Sequence, residues 1–271
     1  MNLDPLLLDR ERLLPVAERG RDAYAAADPF PHAVLDDLFD PAVLDRVIDE
    51  FPDPGSVEWQ RFDDPMQRKL ATRREEHMGA WTRLFLGQLN SAPFIDFLET
   101  LTGIEGLVPD PHLDGGGMHQ IQRGGLLKLH ADFDRHPHLD LDRRLNVLVY
   151  LNRDWEEEFG GHLELWDEPM ERCAQRVLPK FNRTVVFTTT DTSWHGHPDA
   201  LSCPEGWSRK SLALYYYSNG RPDHEMKGPR GHSTVFKRRP GERIAPSLHE
   251  AAQLLLPPIV AQTFEKLGRR R

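Results

Sequence analysis

The sequence predicts a mainly β fold, an antiparallel sandwich or barrel with flanking helices. Four segments in the middle of the chain have strand character, because apolar residues alternate in one and β-branched or aromatic residues are frequent in the others. They cover residues 145–151, 162–166, 184–190 and 211–217. Glycine, proline and asparagine separate these segments, and no helical pattern lies between them, which is typical of an antiparallel sheet.

The segments on either side have helical patterns. Asp40 is suited to cap a helix whose apolar stripe runs over residues 43–51. A second helix is predicted to start at Ser91 and to end at Gly103. A third is predicted over residues 246–267, with a kink at its pair of prolines.

These patterns divide the 271 residues into three parts of one compact domain. We expect a helical support in residues 1–104, the β core in 105–220 and an extension with a helix in 221–271. The polar stretch 52–76 has little pattern, so an ordered loop over a site and a mobile loop both remain open. A core of this size can fold without disulfides.

Charge and cysteine content exclude some classes of function. Lys and Arg number 34 against 43 Asp and Glu, for a net charge of −9. A general nucleic-acid-binding role is therefore not expected, because phosphate binding needs a basic surface. The sequence contains no apolar run long enough to span a membrane and no signal-peptide pattern. Two cysteines, Cys173 and Cys203, are too few for a disulfide scaffold, so we expect a cytoplasmic protein. The oligomeric state stays open.

The strongest chemical signal is the pair His130 and Asp132. On a strand, residues two apart point to the same face. An imidazole and a carboxylate on one face supply two of the three ligands of a 2-His-1-carboxylate site, which holds non-haem iron. A chain with 13 histidines also contains such a pair by chance, so an exposed, hydrogen-bonded pair is the alternative.

A third ligand must come from farther along the chain. His195 and His197 both follow the apolar strand predicted over residues 184–190, and both are candidates. The alternative is that both are loop histidines without a metal.

Arg209 and Ser211 share one face of the last predicted strand. A guanidinium that faces a barrel interior is costly unless it meets an anion. Its planar fork matches the two oxygens of a carboxylate, and a neighbouring hydroxyl adds a further bond. The alternative is a surface ion pair at the end of a strand.

The order of these residues resembles that of the 2-oxoglutarate/Fe(II)-dependent dioxygenase superfamily. Three segments, 144–155, 160–166 and 177–183, are similar to its prolyl 4-hydroxylase-like branch, and the similarity covers roughly residues 118–218. The resemblance implies a double-stranded β-helix, or jelly roll, for the core. It also implies Fe(II), 2-oxoglutarate as cosubstrate and O2, with ascorbate as an optional reductant.

The resemblance places His130, Asp132 and His195 on the iron ligands and so favours His195 over His197. The presence of the carboxylate implies a hydroxylase, because relatives that halogenate lose it to make room for chloride.

The resemblance also implies a cosubstrate site. Arg209 falls on the residue that pairs with the 5-carboxylate of 2-oxoglutarate, and the Tyr150 hydroxyl falls near the same carboxylate. Ser211 is the neighbouring hydroxyl. Some relatives carry tyrosines in the strand before the first histidine, where this chain has glutamines, and Gln122 is predicted to substitute for one of them.

The expected reaction is hydroxylation of an unactivated C–H bond in a small molecule, an amino acid or a peptidyl residue, with release of succinate and CO2. Desaturation or cyclisation with the same cofactors is one alternative, because the hydrogen abstraction is shared. A cupin-like protein that binds a metal or ligand without turnover is another, and a zinc hydrolase is a third. The zinc hydrolase is less favoured because the chain has no H-E-x-x-H motif. The substrate is the expected partner, without nucleic acid or membrane.

Overall fold

The computed structural model describes residues 7–228 and 230–242. Within these ranges, four α-helices are present: α1 (Arg10–Ala25), α2 (Pro41–Asp49), α3 (Ala80–Leu89) and α4 (Ala92–Thr102). The strands in the same ranges are β1 (His32–Asp36), β2 (Gln60–Asp64), β3 (Gln67–Thr72), β4 (Val108–Pro109), β5 (Gly117–Gln122), β6 (Leu126–Ala131), β7 (Asp142–Tyr150), β8 (Leu163–Trp166), β9 (Cys173–Val177), β10 (Arg183–Thr188), β11 (His195–His197), β12 (Ser208–Ser218) and β13 (Val235–Phe236). The helix predicted over residues 246–267 lies outside the described residues.

All neighbouring strands are antiparallel, and they follow the order β1-β10-β7-β12-β5-β3-β6-β11-β8-β9. Short strands extend this path, with β13 beside β6, β2 beside β3 and β4 beside β12. The sheet curls so that β6, β11 and β8 face β7, β12 and β5 across a cavity. This is the double-stranded β-helix that the sequence predicted.

The two faces of β7 and β12 have different environments because side chains alternate along a strand. One face of each strand packs against the helices and carries apolar side chains such as Val147, Val149 and Leu214. The other face turns into the cavity and carries Asn146 and Ser211. The helices thus close one side of the sheet and leave its inner side free for a site.

The predicted helix ends are confirmed. Asp40 caps α2, with its carboxylate accepting from the Ala42 N–H at 2.8 Å. Ser91 occupies the N-cap position of α4, and Gly103 ends that helix with φ of 72°, in the left-handed region that favours glycine.

The polar stretch 52–76 contains a hairpin of β2 and β3. Strand β3 pairs with β6 at Gln67 and with β5 at Leu70, so it lies between these two core strands in the sheet. Its alternation is weak in sequence because buried side chains are consecutive at its end rather than spaced by two. Residues 1–104, expected as a helical support, therefore also contribute three strands to the sheet. Within the described residues, no helix is both long and apolar enough to cross a bilayer.

The edge strand β1 is held by an ion pair to β10. The two oxygens of Asp36 accept from Arg183 Nε at 2.6 Å and from Nη2 at 2.8 Å. Lys180 Nζ lies 3.0 Å from the same carboxylate. These bonds, led by the Arg183 guanidinium, lower the pKa of Asp36 to about 2.

A pH dependence of stability follows from this ion pair. An Asp carboxyl has a pKa of about 3.9 when unfolded, so the lower folded value contributes stability above about pH 4 that is lost as the pH falls toward 2. Asp36→Asn should destabilise the protein at neutral pH and remove this part of the acid dependence. Urea unfolding across pH 6 to 3 measures it. Arg183→Gln should have the same effect, and the double variant should lose no more than either single one; additive losses would contradict the assignment.

Candidate active site

Three potential metal ligands meet inside the barrel. His130 is near the end of β6, Asp132 follows that strand, and His195 opens β11 directly opposite His130 in register. Their ligand atoms all lie within 4.8 Å of one another. Asp132 Oδ1 is 3.6 Å from His130 Nε2, and its Oδ2 is 3.3 Å from His195 Nε2. The register of two strands therefore assembles ligands that are 63 residues apart in sequence.

Hydrogen bonds orient both imidazoles toward this point. His130 Nδ1 lies 2.8 Å from the Lys128 carbonyl, and His195 Nδ1 lies 2.9 Å from the Ser193 carbonyl. A carbonyl oxygen only accepts, so each Nδ1 carries the proton and each Nε2 presents a lone pair. Burial lowers the pKa of His130, which keeps its ring neutral as a metal ligand requires.

Asp132 is held by a buried guanidinium. Its Oδ2 accepts from Arg143 Nη2 at 3.0 Å and from Asn146 Nδ2 at 2.7 Å. Arg143 is fully buried, and its guanidinium carbon lies 3.5 Å from the ring centroid of Tyr215 and 4.3 Å from that of Phe133. Burial opposes ionisation of Asp132, but the Arg143 guanidinium outweighs it, and the pKa of Asp132 lies well below its usual range. The carboxylate is therefore ionised and fixed in place.

Arg209 lies on the same inner face, on β12. It is 5% exposed; its Nε donates to the Gly161 carbonyl at 2.8 Å and its Nη2 to the Tyr150 hydroxyl at 3.0 Å. No carboxylate of the described residues forms an ion pair with it. A buried guanidinium without an anion is costly, so this arrangement suits an anionic ligand. A side chain at Gly161 is excluded, because a Cβ there would lie 3.0 Å from Arg209 Cδ.

The structure brings most of the sequence-predicted residues together. The cavity is lined by five of them: His130, Asp132, His195, Arg209 and Ser211. Tyr150 reaches the site through its bond to Arg209. His197 also lines the cavity, but it is not part of the three-ligand cluster; it pairs with Leu127 rather than with His130.

Gln122 is the exception. Its side chain is exposed and borders a groove on the outside of the barrel, whereas His119 and Ile121 of the same strand line the cavity. The prediction for Gln122 is corrected on this ground. Alternation along β5 turns its even-numbered residues outward.

Sequence reasoning missed Arg143, Lys69 and His119. A β-bulge lies opposite Tyr216 and Tyr217, where β7 contributes one extra residue and so turns Arg143 to the face of Asn146. A bulge leaves no mark in the alternation of the sequence. Lys69 and His119 line the cavity, but the strand that carries Lys69 was not predicted.

A second cluster of Asp110, Asp114 and His136 is spaced like a metal site. The His136 Nδ1 accepts from the N–H groups of His138 and Leu139, each at 3.1 Å. The ring proton is therefore on Nε2, which faces the two carboxylates at 3.7 Å. A protonated nitrogen has no lone pair for a metal, so this cluster is a donor facing two acceptors.

Residues 116–217 match the family model of the 2OG-Fe(II) oxygenase superfamily. These residues form a 2OG-Fe(II) oxygenase domain. Its cofactor and cosubstrate are Fe(II) and 2-oxoglutarate, and its oxidant is O2. The matched range contains the three clustered ligands and Arg209, whereas Lys69, which also lines the cavity, lies outside it.

Relatives with names and solved structures agree with this family. Mouse prolyl 3-hydroxylase OGFOD1 is 27% identical over 165 residues, which are 59% of this chain and 26% of that protein. The match thus spans about a quarter of that curated relative. A prolyl-4-hydroxylase of Pseudomonas putida has a TM-score of 0.55 at 16% identity, covering 77% of this chain and 100% of its own. A Phytophthora capsici prolyl 4-hydroxylase has a TM-score of 0.51 at 20% identity, covering 78% of this chain and 65% of its own. At these identities the solved structures show the shared fold.

The residues present fit the cofactors of the oxygenase domain. Two neutral imidazoles and one carboxylate are the donor set that suits Fe(II) and leaves coordination positions open. The unpaired guanidinium of Arg209 lies in the same cavity and suits one carboxylate of 2-oxoglutarate.

Removing the guanidinium behind Asp132 should weaken metal binding. Arg143→Met leaves the carboxylate without its charge partner, so we expect Fe(II) affinity to fall about 10- to 100-fold, as is typical when a partner of a metal ligand is lost. The pKa of Asp132 should also rise, so protons compete with the metal from a higher pH. Anaerobic Fe(II) titration at several pH values measures both effects.

Arg144→Met is the matched control, because Arg144 is the neighbouring buried arginine and pairs with Ser218 and Glu225 instead of Asp132. Equal losses of affinity in the two variants would contradict a specific role for Arg143.

Proposed function

We propose that this protein is an Fe(II)- and 2-oxoglutarate-dependent dioxygenase that hydroxylates an unactivated C–H bond and releases succinate and CO2. The observation that carries the proposal is the convergence of His130, Asp132 and His195 on one point of a cavity that also contains Arg209. The zinc hydrolase is less favoured because it gives no role to a buried arginine without an anion. The cupin-like binding protein is less favoured because the three clustered residues and Arg209 are all present in one cavity.

We assign the metal to His130 Nε2, His195 Nε2 and a carboxylate oxygen of Asp132. Iron, when bound with 2-oxoglutarate, supplies the oxidising chemistry that removes a hydrogen atom from the substrate. The protein contributes position: the two backbone carbonyls fix the imidazoles, and Arg143 fixes the carboxylate. A metal held by these three residues would keep coordination positions open for cosubstrate and oxygen.

We assign the far carboxylate of 2-oxoglutarate to Arg209. Its guanidinium is already oriented by Gly161 and Tyr150, so little order has to be gained on binding. Ser211 is two residues along the same strand face and adds a hydroxyl. His197 faces the cavity with both ring nitrogens buried and without hydrogen-bond partners, so a bound cosubstrate also supplies an acceptor for its N–H.

A prolyl residue in a peptide is the first substrate that we propose, because the mouse relative and both solved relatives are named prolyl hydroxylases. Small molecules and free amino acids remain in the same proposal, and so do desaturation and cyclisation, which share the hydrogen abstraction. Product mass distinguishes these outcomes. We also propose a cytoplasmic location, since Cys173 and Cys203 are both free thiols.

The proposed function can be tested before a substrate is known. Metal-free protein is given Fe(II) and then 2-oxoglutarate under anaerobic conditions, and the visible spectrum is recorded. A charge-transfer band that needs both additions indicates 2-oxoglutarate bound to the iron. His195→Ala should abolish the band because a ligand is lost, whereas His197→Ala should keep it and only raise the 2-oxoglutarate concentration needed. If folded, iron-loaded wild-type protein gives no band, the proposal is wrong.

Arg209 should separate cosubstrate binding from metal binding. Arg209→Met removes the charge that meets the far carboxylate, and truncating one partner of such a buried pair costs about 2–5 kcal/mol. We therefore expect the dissociation constant of 2-oxoglutarate to rise at least about 30-fold, since 1.4 kcal/mol is tenfold. Fe(II) affinity should change little. Calorimetry with the Mn(II)-loaded protein measures the dissociation constant of 2-oxoglutarate. An unchanged value would place the anion site elsewhere.

A further inference from the structure

The hairpin of β2 and β3 places one positive charge in the cavity. Lys69 on β3 lines the cavity of the three ligands, and it also lines the groove on the outside of the barrel. Its ammonium lies 5.0 Å from the centroid of the Phe62 ring. Among the described residues it has neither an ion pair nor a hydrogen bond. A partly buried ammonium without an anion is costly, as for Arg209.

The groups around Lys69 also lack partners. His119 lines the same cavity, and its Nε2 is buried without a hydrogen bond. Burial, followed by the charge of Lys69, lowers the pKa of His119 to about 3, so this ring is neutral and the two groups are neighbours. Burial also lowers the pKa of Lys69. Asp132 and Asp64 oppose this, and Asp132 is already paired with Arg143.

The charges of the loaded site do not balance without a further anion. Arg143 cancels Asp132 at 3.0 Å. The two charges of Fe(II) cancel the two of 2-oxoglutarate. Lys69 and Arg209 therefore leave two positive charges in excess, and Asp132 is the only carboxylate among the residues that line the described cavity. Such a cavity attracts a negatively charged substrate.

We propose that Lys69 binds a carboxylate of the substrate, so that the enzyme acts on acids or on peptides with an acidic group close to the target residue. The inference rests on the proposed function. Lys69 is suited to the substrate because it comes from the hairpin, lines the outer groove as well, and belongs to none of the strands that hold the ligands or Arg209. The far carboxylate of the cosubstrate is already assigned to Arg209, and the other end of the cosubstrate is assigned to the metal.

The test compares acids with their amides on the same holoprotein. N-acetyl-L-proline is paired with N-acetyl-L-prolinamide, and the C-terminal amide of an acetylated Pro-Glu peptide is paired with the C-terminal amide of acetylated Pro-Gln. Each is titrated anaerobically into protein loaded with Fe(II) and 2-oxoglutarate, and the shift of the charge-transfer band gives its affinity. We expect the acid of at least one pair to bind about tenfold or more tightly than the amide, the loss expected when a buried charge loses its partner.

Variants assign that preference to the ammonium. Lys69→Met should reduce the ratio of acid to amide affinity to about one, while Lys69→Arg should keep a preference because it keeps the charge. The 2-oxoglutarate affinity should change less than about threefold, a difference below 1 kcal/mol. Lys180→Met is the control, since this exposed lysine pairs with Asp36 far from the cavity, and it should retain the wild-type ratio.

Each outcome decides between the two proposals. A band that forms but responds equally to acid and amide, or to neither, overturns the role of Lys69 and leaves the proposed function intact. A preference that persists in Lys69→Met overturns it as well. A parallel loss of 2-oxoglutarate affinity would assign Lys69 to the cosubstrate. The absence of any band in iron-loaded wild-type protein would instead remove the proposed function.

Discussion

The structure depends on keeping a buried carboxylate ionised inside the barrel. Asp132 is almost buried, and burial alone would favour its neutral form. Arg143 prevents this from a position without any solvent exposure, in contact with the rings of Phe133 and Tyr215 and bonded to Asn146 as well. Asp132 therefore accepts from two donors, and the two histidines can meet a carboxylate of fixed position and charge. Without Arg143, Asp132 would keep only the bond from Asn146, while backbone carbonyls would still orient both histidines.

The double-stranded β-helix makes this arrangement of side chains possible. Alternation gives β7 and β12 one apolar face for the helices and one polar face for the cavity, so stability and chemistry are separated within single strands. Register then sets distances: His195 is opposite His130, and Arg209 is brought to Tyr150. His130, His195 and Arg209 consequently lie on strands, and Asp132 directly follows one.

The hairpin of β2 and β3 adds a feature that the barrel alone does not contain. It enters the sheet between β5 and β6 and presents Lys69 to the cavity. The remaining unpartnered nitrogens, on His119 and His197, face the same space. The cavity thus presents many hydrogen-bond donors and few acceptors. This composition complements 2-oxoglutarate and the proposed acidic substrate, which both carry carboxylates.

The sequence by itself predicted the fold class and the ends of two helices, and it named five of the residues that line the cavity. Local rules suffice for these. Alternation indicates the strands, Asp40 and Gly103 are residue types typical of helix ends, and the H-x-D motif indicates His130 and Asp132. Only the tertiary structure decided which groups are neighbours. The register of β11 separates His195 from His197, the parity of β5 turns Gln122 outward, and a bulge in β7 turns Arg143 inward. Pairing between distant strands sets all three, and the amino-acid pattern of one strand carries no information about its partner.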